Sequence, residues 1–411
     1  MIGFSRKILA NGLTVLHHYD NTTPFAVVNV LYRIGAKHEN PERTGFAHLF
    51  EHLMFGGTKT FPNFDSPLQE AGGENNAFTN NDYTNYYDIV PVFNIEIPLC
   101  LEADRMTHLD INKRSLEVQR KVVCEEFKEH YINQPYGNAW HLLRELVYEK
   151  HPYQWPTIGR SLKHIEDATL EDVQNFYAAN YNPANAILVI AGNIEEQNAF
   201  TLVEKWMGNT AGAEVHYPVF SEPEQLAAKE KTVYEDVPLH ALFLAFKMPA
   251  RAEAGYYTAD VITDILSNGT ASRLHQKLVK ETKAFVEAEA YVSDSIDTGM
   301  FVVEGKISEG YDVQQAYDLV WKELEKLKTE PIAENELRKV KNKMLTYLNF
   351  SESSLLNRTI GLAFYELLGD ANQINQEDEK FESVSAQDIQ QFAQQYLCKE
   401  KSNTLFYLQK N

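Results

Sequence analysis

The residues with the clearest chemical potential in the chain are His48-Leu-Phe-Glu51-His52. On a helix, positions i, i+3 and i+4 project from one face, so both imidazoles can reach one ion while Glu51 stands beside them. The surrounding pattern predicts that helix. Between Gly45 and Phe55 the apolar residues Phe46, Leu49, Phe50, Leu53 and Met54 recur at helical spacing, and Gly56-Gly57 closes the run. Two neutral nitrogens and one carboxylate suit zinc and leave a position for water, whose pKa the ion lowers towards about 7. The expected chemistry is hydrolysis with one zinc ion per chain, Glu51 acting as general base.

A third ligand has to come from elsewhere, and the segment from Glu117 to His130 offers Glu125, Glu126 and Glu129. Glu126 shares a helical face with Val122 and Val123, which directs it inward. Glu125 lies nearer Lys121, Lys128 and Glu129, a solvated charged face where carboxylates form surface ion pairs. The expected ligand is Glu126.

The elements that position these side chains follow from periodicity and turn chemistry. Leu13 to His17, Phe25 to Tyr32, Asn85 to Val90 and Ala186 to Ala191 read as strands, the first after an Asn11-Gly12 turn. Helices are expected near Pro98 to His108, Leu116 to Tyr131, Ala139 to Tyr148 and Glu171 to Tyr181. Gly208, Gly212, Pro218 and Pro223 then interrupt the pattern as linker residues do. Beyond them a similar order returns: a strand at Leu239 to Phe246, a helix from Tyr256 to Leu266, and strands near Phe301. Long helices at 313 to 327 and 334 to 350 and a last strand at Thr404 to Leu408 complete it. Thr169-Leu-Glu-Asp-Val-Gln-Asn-Phe176 matches Ser385-Ala-Gln-Asp-Ile-Gln-Gln-Phe392, each a capping residue opening a helix that leads to a strand. The expected fold is α+β, with two homologous domains that each pack helices on one face of a mainly antiparallel sheet. Their bounds are residues 1–210 and 233–411, with a linker at 211–232; the metal motif belongs to the first.

The formal charge of −20 repels nucleic-acid phosphates and anionic membranes, so neither is expected as a partner. No apolar run approaches the roughly 20 residues of a membrane helix. The first residues lack the basic end, apolar centre and cleavage site of a secretory signal, which favours the cytoplasm, or the periplasm for a chain that has lost its leader. Cys100, Cys124 and Cys398 are scattered, include no Cys-x-x-Cys pair, and read as buried small hydrophobes.

Together these residues resemble the pitrilysin group of inverted zinc peptidases, which includes insulin-degrading enzyme and the mitochondrial processing peptidase. The resemblance runs through the Gly45 to Phe55 helix, Asn76-Ala-Phe-Thr79, Asp82-Tyr-Thr-Asn-Tyr86, Val122-Val-Cys-Glu-Glu126, the Gly159 turn, Asn182-Pro183 and Ser272-Arg-Leu274. It implies that the second glutamate of the Glu125-Glu126 pair binds the metal. It also implies that Asn76, Ala77 and Phe78 lie on an edge strand to which an extended peptide adds by backbone pairing. Short-chain members of the group act as pairs of chains enclosing a chamber.

Two departures from the family pattern affect function. Where many relatives carry a second glutamate that supports the ligand, this chain has Gln119. Where active relatives place an Arg and a Tyr that hold the substrate near the metal, it has Val279 and Val286, which cannot donate a hydrogen bond. The resemblance therefore implies a zinc endopeptidase for extended peptides or unfolded segments, completed by a second family subunit that supplies the Arg and Tyr. The competing expectation is a catalytically silent scaffold, like the core subunits of respiratory complexes with this fold.

Overall fold

The computed structural model describes residues 1–293 and 295–410. They form two compact units, each assembled from separated stretches of chain.

The first unit comprises Met1–Lys128, Trp155–Val219 and Asn349–Gln376. Its strands are β1 (Ser5–Ile8), β2 (Thr14–Tyr19), β3 (Phe25–Tyr32), β4 (Glu74–Thr79), β5 (Thr84–Pro91) and β6 (Ala186–Gly192). Helices α1 (Phe46–Met54) and α2 (Asp65–Glu70) lie between β3 and β4, and α3 (Glu96–His108) and α4 (Lys113–Phe127) follow β5. One helix, α5 (Ala139–Val147), leaves for the second unit before α6 (Leu162–Glu166), α7 (Leu170–Asn180) and α8 (Glu196–Met207) complete this part.

The second unit holds β7 (Lys229–Glu235), β8 (Ala241–Met248), α9 (Ala254–Ser267), β9 (Phe285–Val292) and β10 (Gly299–Ile307). Helices α10 (Val313–Thr329) and α11 (Glu334–Glu352) follow, the last residues of α11 from Asn349 being grouped with the first unit. Next, α12 (Leu355–Leu367) belongs to the first unit, before α13 (Glu377–Ser383), α14 (Ala386–Tyr396) and β11 (Ser402–Gln409) return to the second.

The sheets repeat one plan. The first has the order β1-β2-β6-β3-β5-β4 and the second β7-β11-β8-β10-β9. In each, one parallel pair, β2 with β6 or β7 with β11, is followed by antiparallel pairs to the far edge. The matching octapeptides occupy equivalent places: Thr169 and Ser385 both close reciprocal capping boxes on helices leading into β6 and β11. An internal duplication accounts for one strand order, one parallel pair and one cap recurring together.

Each unit is discontinuous because a helical stretch of each half of the chain, carrying α5 or α12, belongs to the unit built mainly from the other half. Alternate residues of β8 enter two cores: Leu242, Leu244 and Phe246 meet α9, α10 and α14 residues, whereas Ala241, Phe243 and Ala245 meet Ala139, Leu143 and Val147 of α5. A helix from the first half of the chain thus covers the second face of this sheet. In the first unit, α12 packs on β3 and β6, and every residue of β6 is buried. The one-face packing expected from the sequence is therefore supplemented in both units by a helix contributed by the other half. The edge strands β4 and β7 escape the hydrophobic pattern because they are polar. β7, with charged residues at 229–231 and alternate residues half-exposed, begins inside the stretch read as linker.

Polar anchors hold α12 in place. Arg6 Nε and Nη2 donate to Glu366 at 3.0 and 2.9 Å, and Arg358 ion-pairs with Asp20 and donates from Nε to His18 Nε2 at 3.1 Å. His18 donates from Nδ1 to the Gly3 carbonyl at 2.7 Å, so both ring nitrogens are used by the neutral imidazole. Burial, with the Arg358 charge adding to it, holds His18 below its ordinary value against the opposing pull of the Gly3 carbonyl and Asp20. A depressed histidine contributes stability that is complete above the unfolded value near 6.5 and is lost as pH falls through the folded one. Melting temperature should therefore drop on acidification below that value. His18→Gln, whose amide offers the same donor and acceptor without titrating, should flatten the acid limb. Equal acid sensitivity in both proteins would exclude His18 as the cause.

One minor expectation is corrected. Cys124 is buried, but Cys100 and Cys398 are only half-buried.

Candidate metal centre

Helix α1 buries Phe46, Leu49, Phe50 and Leu53. Phe50 packs within 5.0 Å of the Phe176 ring and 5.1 Å of the Tyr181 ring, which fixes the rotation of the helix against α7. That rotation leaves His48, Glu51 and His52 on the opposite, half-buried side. Helix α4 begins at Asn112, whose side chain accepts the N–H groups of Arg114 and Ser115, and it packs against α1. Its last turn carries Glu126.

The three side chains expected to bind metal converge. His48 Nε2 and His52 Nε2 are 3.3 Å apart, Glu126 Oε1 is 3.7 Å from His48 Nε2, and Glu126 Oε2 is 3.4 Å from His52 Nε2. Bond lengths of 2.0–2.2 Å about a tetrahedral ion imply ligand-to-ligand edges of about 3.3–3.6 Å. The donor set and its spacing fit zinc. These three side chains are the one metal-competent group of three His, Cys, Asp or Glu found among the described residues. Burial pushes the His48 imidazole below its ordinary value, with Glu126 opposing and His52 reinforcing, which keeps a ligand nitrogen free of its proton.

Glu51 stands on the same helix, partly exposed. Near it are the buried phenols of Tyr86 and Tyr181, whose hydroxyls lie 3.5 Å apart. Burial holds both phenols above their ordinary value, and the Glu51 carboxylate adds to it.

Glu126 does not face the interior as its neighbours Val122 and Val123 suggest. Val123 is buried, but Val122 is 46% exposed, and Val118 one turn earlier is 51% exposed. The stripe bearing Val118, Val122 and Glu126 is open, and Glu126 is itself one-third exposed. Glu125 points away and pairs with Lys128 at 2.8 Å on the surface. Gln119, half-buried, is on α4 two turns before Glu126.

Asn76, Ala77 and Phe78 lie on β4, the outer strand of the first sheet, paired on one side with Tyr87, Tyr86 and Asn85 of β5. The Ala77 N–H is taken by Asn76 Oδ1 at 2.8 Å. Helix α1 packs beside this strand, so its edge and the histidines belong to one body. Val279 and Val286 lie in the second unit. Val279 packs against its core and Val286, on β9, is 55% exposed.

One supporting residue was not singled out in the sequence. The first turn of α1 is capped by the buried Glu39, whose carboxyl is pushed up to about 8 by burial against the pull of the Ala47, Gly45 and Phe46 N–H groups. The available signal was Gly45, which puts no side-chain cap where helices usually carry Ser, Thr, Asp or Asn.

Comparison with known proteins matches residues 14–159 to the family model Insulinase (Peptidase family M16) and residues 167–344 to Peptidase M16 inactive domain. The chain is 29% identical over 407 residues to the zinc protease PqqE of Helicobacter pylori, covering 97% of this chain and 91% of that one. It is 28% identical over 353 residues to an uncharacterized zinc protease, YmxG, of Bacillus subtilis, covering 85% and 84%. The crystal structure of a protease from Helicobacter pylori superposes with a TM-score of 0.94 at 27% identity, covering 99% of this chain and all of that one. The periplasmic protease PqqL of Escherichia coli shares the fold at a TM-score of 0.80 and 17% identity; this chain covers 47% of it. No helix among the described residues is long and apolar enough to cross a membrane. With two models of one family matched in succession and zinc-protease relatives aligned along nearly its whole length, the chain belongs to the insulinase, or M16, family of peptidases.

Proposed function

We propose that this protein is a zinc-dependent endopeptidase acting on extended peptides or unfolded segments. The observation that carries this reading is the triangle of His48, His52 and Glu126, whose edges of 3.3, 3.4 and 3.7 Å suit a tetrahedral zinc site. These three residues would hold the ion, with Gln119 two turns from Glu126 as a candidate support. Bound zinc would polarise a scissile carbonyl and ease deprotonation of water.

The chain's own groups supply the rest. Glu51 takes a proton from the attacking water and delivers it to the leaving amine. The open edge of β4 at Asn76–Phe78 offers backbone groups to a substrate strand. Such pairing selects extended conformation more than side chains. Asn76 Oδ1 must release the Ala77 N–H when a peptide pairs there, and a new carbonyl acceptor replaces it.

The reading includes a second subunit. Val279 and Val286 cannot donate hydrogen bonds to a developing oxyanion, and loss of one such donor costs about 3–4 kcal/mol of barrier stabilisation. PqqL, which shares this fold, is a single polypeptide about twice as long. The purified lone chain should bind one equivalent of zinc by elemental analysis and hydrolyse unfolded peptides slowly. Adding a family partner that carries the Arg and Tyr should raise kcat/KM by about 100-fold or more. A fast lone chain would refute the two-chain part.

The match of residues 167–344 to the inactive-domain model gives weight to a second reading, a silent scaffold subunit. A scaffold has no need to desolvate three ligand side chains around one point. Absence of stoichiometric zinc after purification without chelators would favour the scaffold.

A further inference from the structure

Helix α1 carries both histidines but cannot cap itself. Gly45 at its N-cap has φ +92, in the left-handed region, and a Cβ there would stand 2.6 Å from the Ile158 carbonyl oxygen. The orphan N–H groups of the first turn are met by Glu39 instead. Its Oε2 accepts from Gly45 at 2.8 Å and its Oε1 from Ala47, the residue before His48, at 2.7 Å. Glu39 is 7% exposed, so water cannot easily take over.

Glu39 ends a short loop whose other end is gripped by the turn between β4 and β5. Ala36 and Lys37 donate their N–H groups to the carbonyls of Asn80 and Asn81 at 3.2 and 2.8 Å, and the Lys37 ammonium pairs with Asp82 at 2.8 Å. Gly35 lies so close to the turn that a Cβ would meet Tyr83 N at 2.5 Å and Asp82 backbone atoms at 2.6 Å. A hydrogen-bonded, largely buried connection therefore runs from the turn after the open strand to the first turn of the histidine helix.

Resting on the peptidase reading, we propose that Glu39 is a positioning residue and that residues 35–39 form a strut holding the histidines and the β4 edge at one spacing. A peptide paired along β4 takes its register from that strand, while the ligands take theirs from α1. Displacing one against the other by about 1 Å is enough to cost about 100-fold in rate.

The test uses the full chain, stripped of metal and reloaded. Glu39→Gln keeps the volume but sets an amide donor against a backbone donor. It should weaken zinc affinity, read by chelator competition, by about 10- to 100-fold and shift the visible spectrum of the cobalt-loaded protein. Lys37→Ala, at the far end of the strut, should leave zinc affinity alone and weaken binding of a fluorescein-labelled unstructured peptide several-fold. Wild-type chain that takes up no zinc would overturn the peptidase reading and this inference with it. Zinc-binding wild type alongside a Glu39→Gln variant of equal affinity and identical cobalt spectrum would overturn the strut alone. Should Glu39→Gln fail to fold, Lys37→Ala decides, and unchanged peptide affinity rejects the strut.

Discussion

Glu51→Gln should retain a full equivalent of zinc and lose about 10²- to 10⁴-fold in kcat. The metal is expected to stay because the converging ligand atoms belong to His48, His52 and Glu126, with Glu51 outside the triangle. The fold is expected to stay because Gln matches Glu in shape and the residue is only partly buried on a helix anchored by Phe46, Leu49, Phe50 and Leu53. The reaction should fail because an amide cannot accept the proton of the attacking water. KM should change little, since substrate pairing is assigned to β4. The measurement pairs metal analysis with steady-state kinetics on an unfolded peptide, in the presence of the partner subunit. Normal turnover by a zinc-replete Glu51→Gln protein would remove Glu51 from the role of base.

Glu126→Gln should act on the opposite quantity, with zinc lost first and activity lost in consequence. Its carboxylate lies within 3.7 Å of both Nε2 atoms, and a neutral amide both ligates poorly and forfeits the charge that helps hold a divalent ion. Because changes to supporting residues around such sites already cost 10- to 100-fold in affinity, loss of a ligand should exceed about 100-fold. The control is its neighbour. Glu125→Gln removes an exposed carboxylate that pairs with Lys128, and it should leave zinc content, rate and melting temperature unchanged. Equal zinc affinity in the Glu126→Gln and wild-type proteins would show that the third ligand is another group.

Parts of this molecule were legible before folding because they depend on local geometry. The strand Phe25–Tyr32 coincides with its β-branched run, and α1 with its apolar spacing, since burial enforces the period of each. The capped helices at Thr169 and Ser385 were readable for the same reason, the box being made of residues three apart. The strands β4 and β7 were not readable by pattern, because an edge strand carries polar residues that periodicity assigns to loops. Val122 is apolar without being buried, because it stands on the open stripe shared with Glu126. Glu39 was invisible because its partners are helix N–H groups, which any sequence supplies.

His48, Glu51 and His52 had to share one side of a helix once that helix formed, because 3.6 residues per turn leave no other arrangement. Which distant carboxylate joins them is a different kind of fact. Glu125 and Glu126 are separated by about 100° around α4, and the packing of α4 on α1 turns one to the imidazoles and the other to solvent. The exchange of α5 and α12 between the two compact units is likewise invisible to any local window. Periodicity states that a helix has an apolar face; only the assembled sheet states what that face will cover.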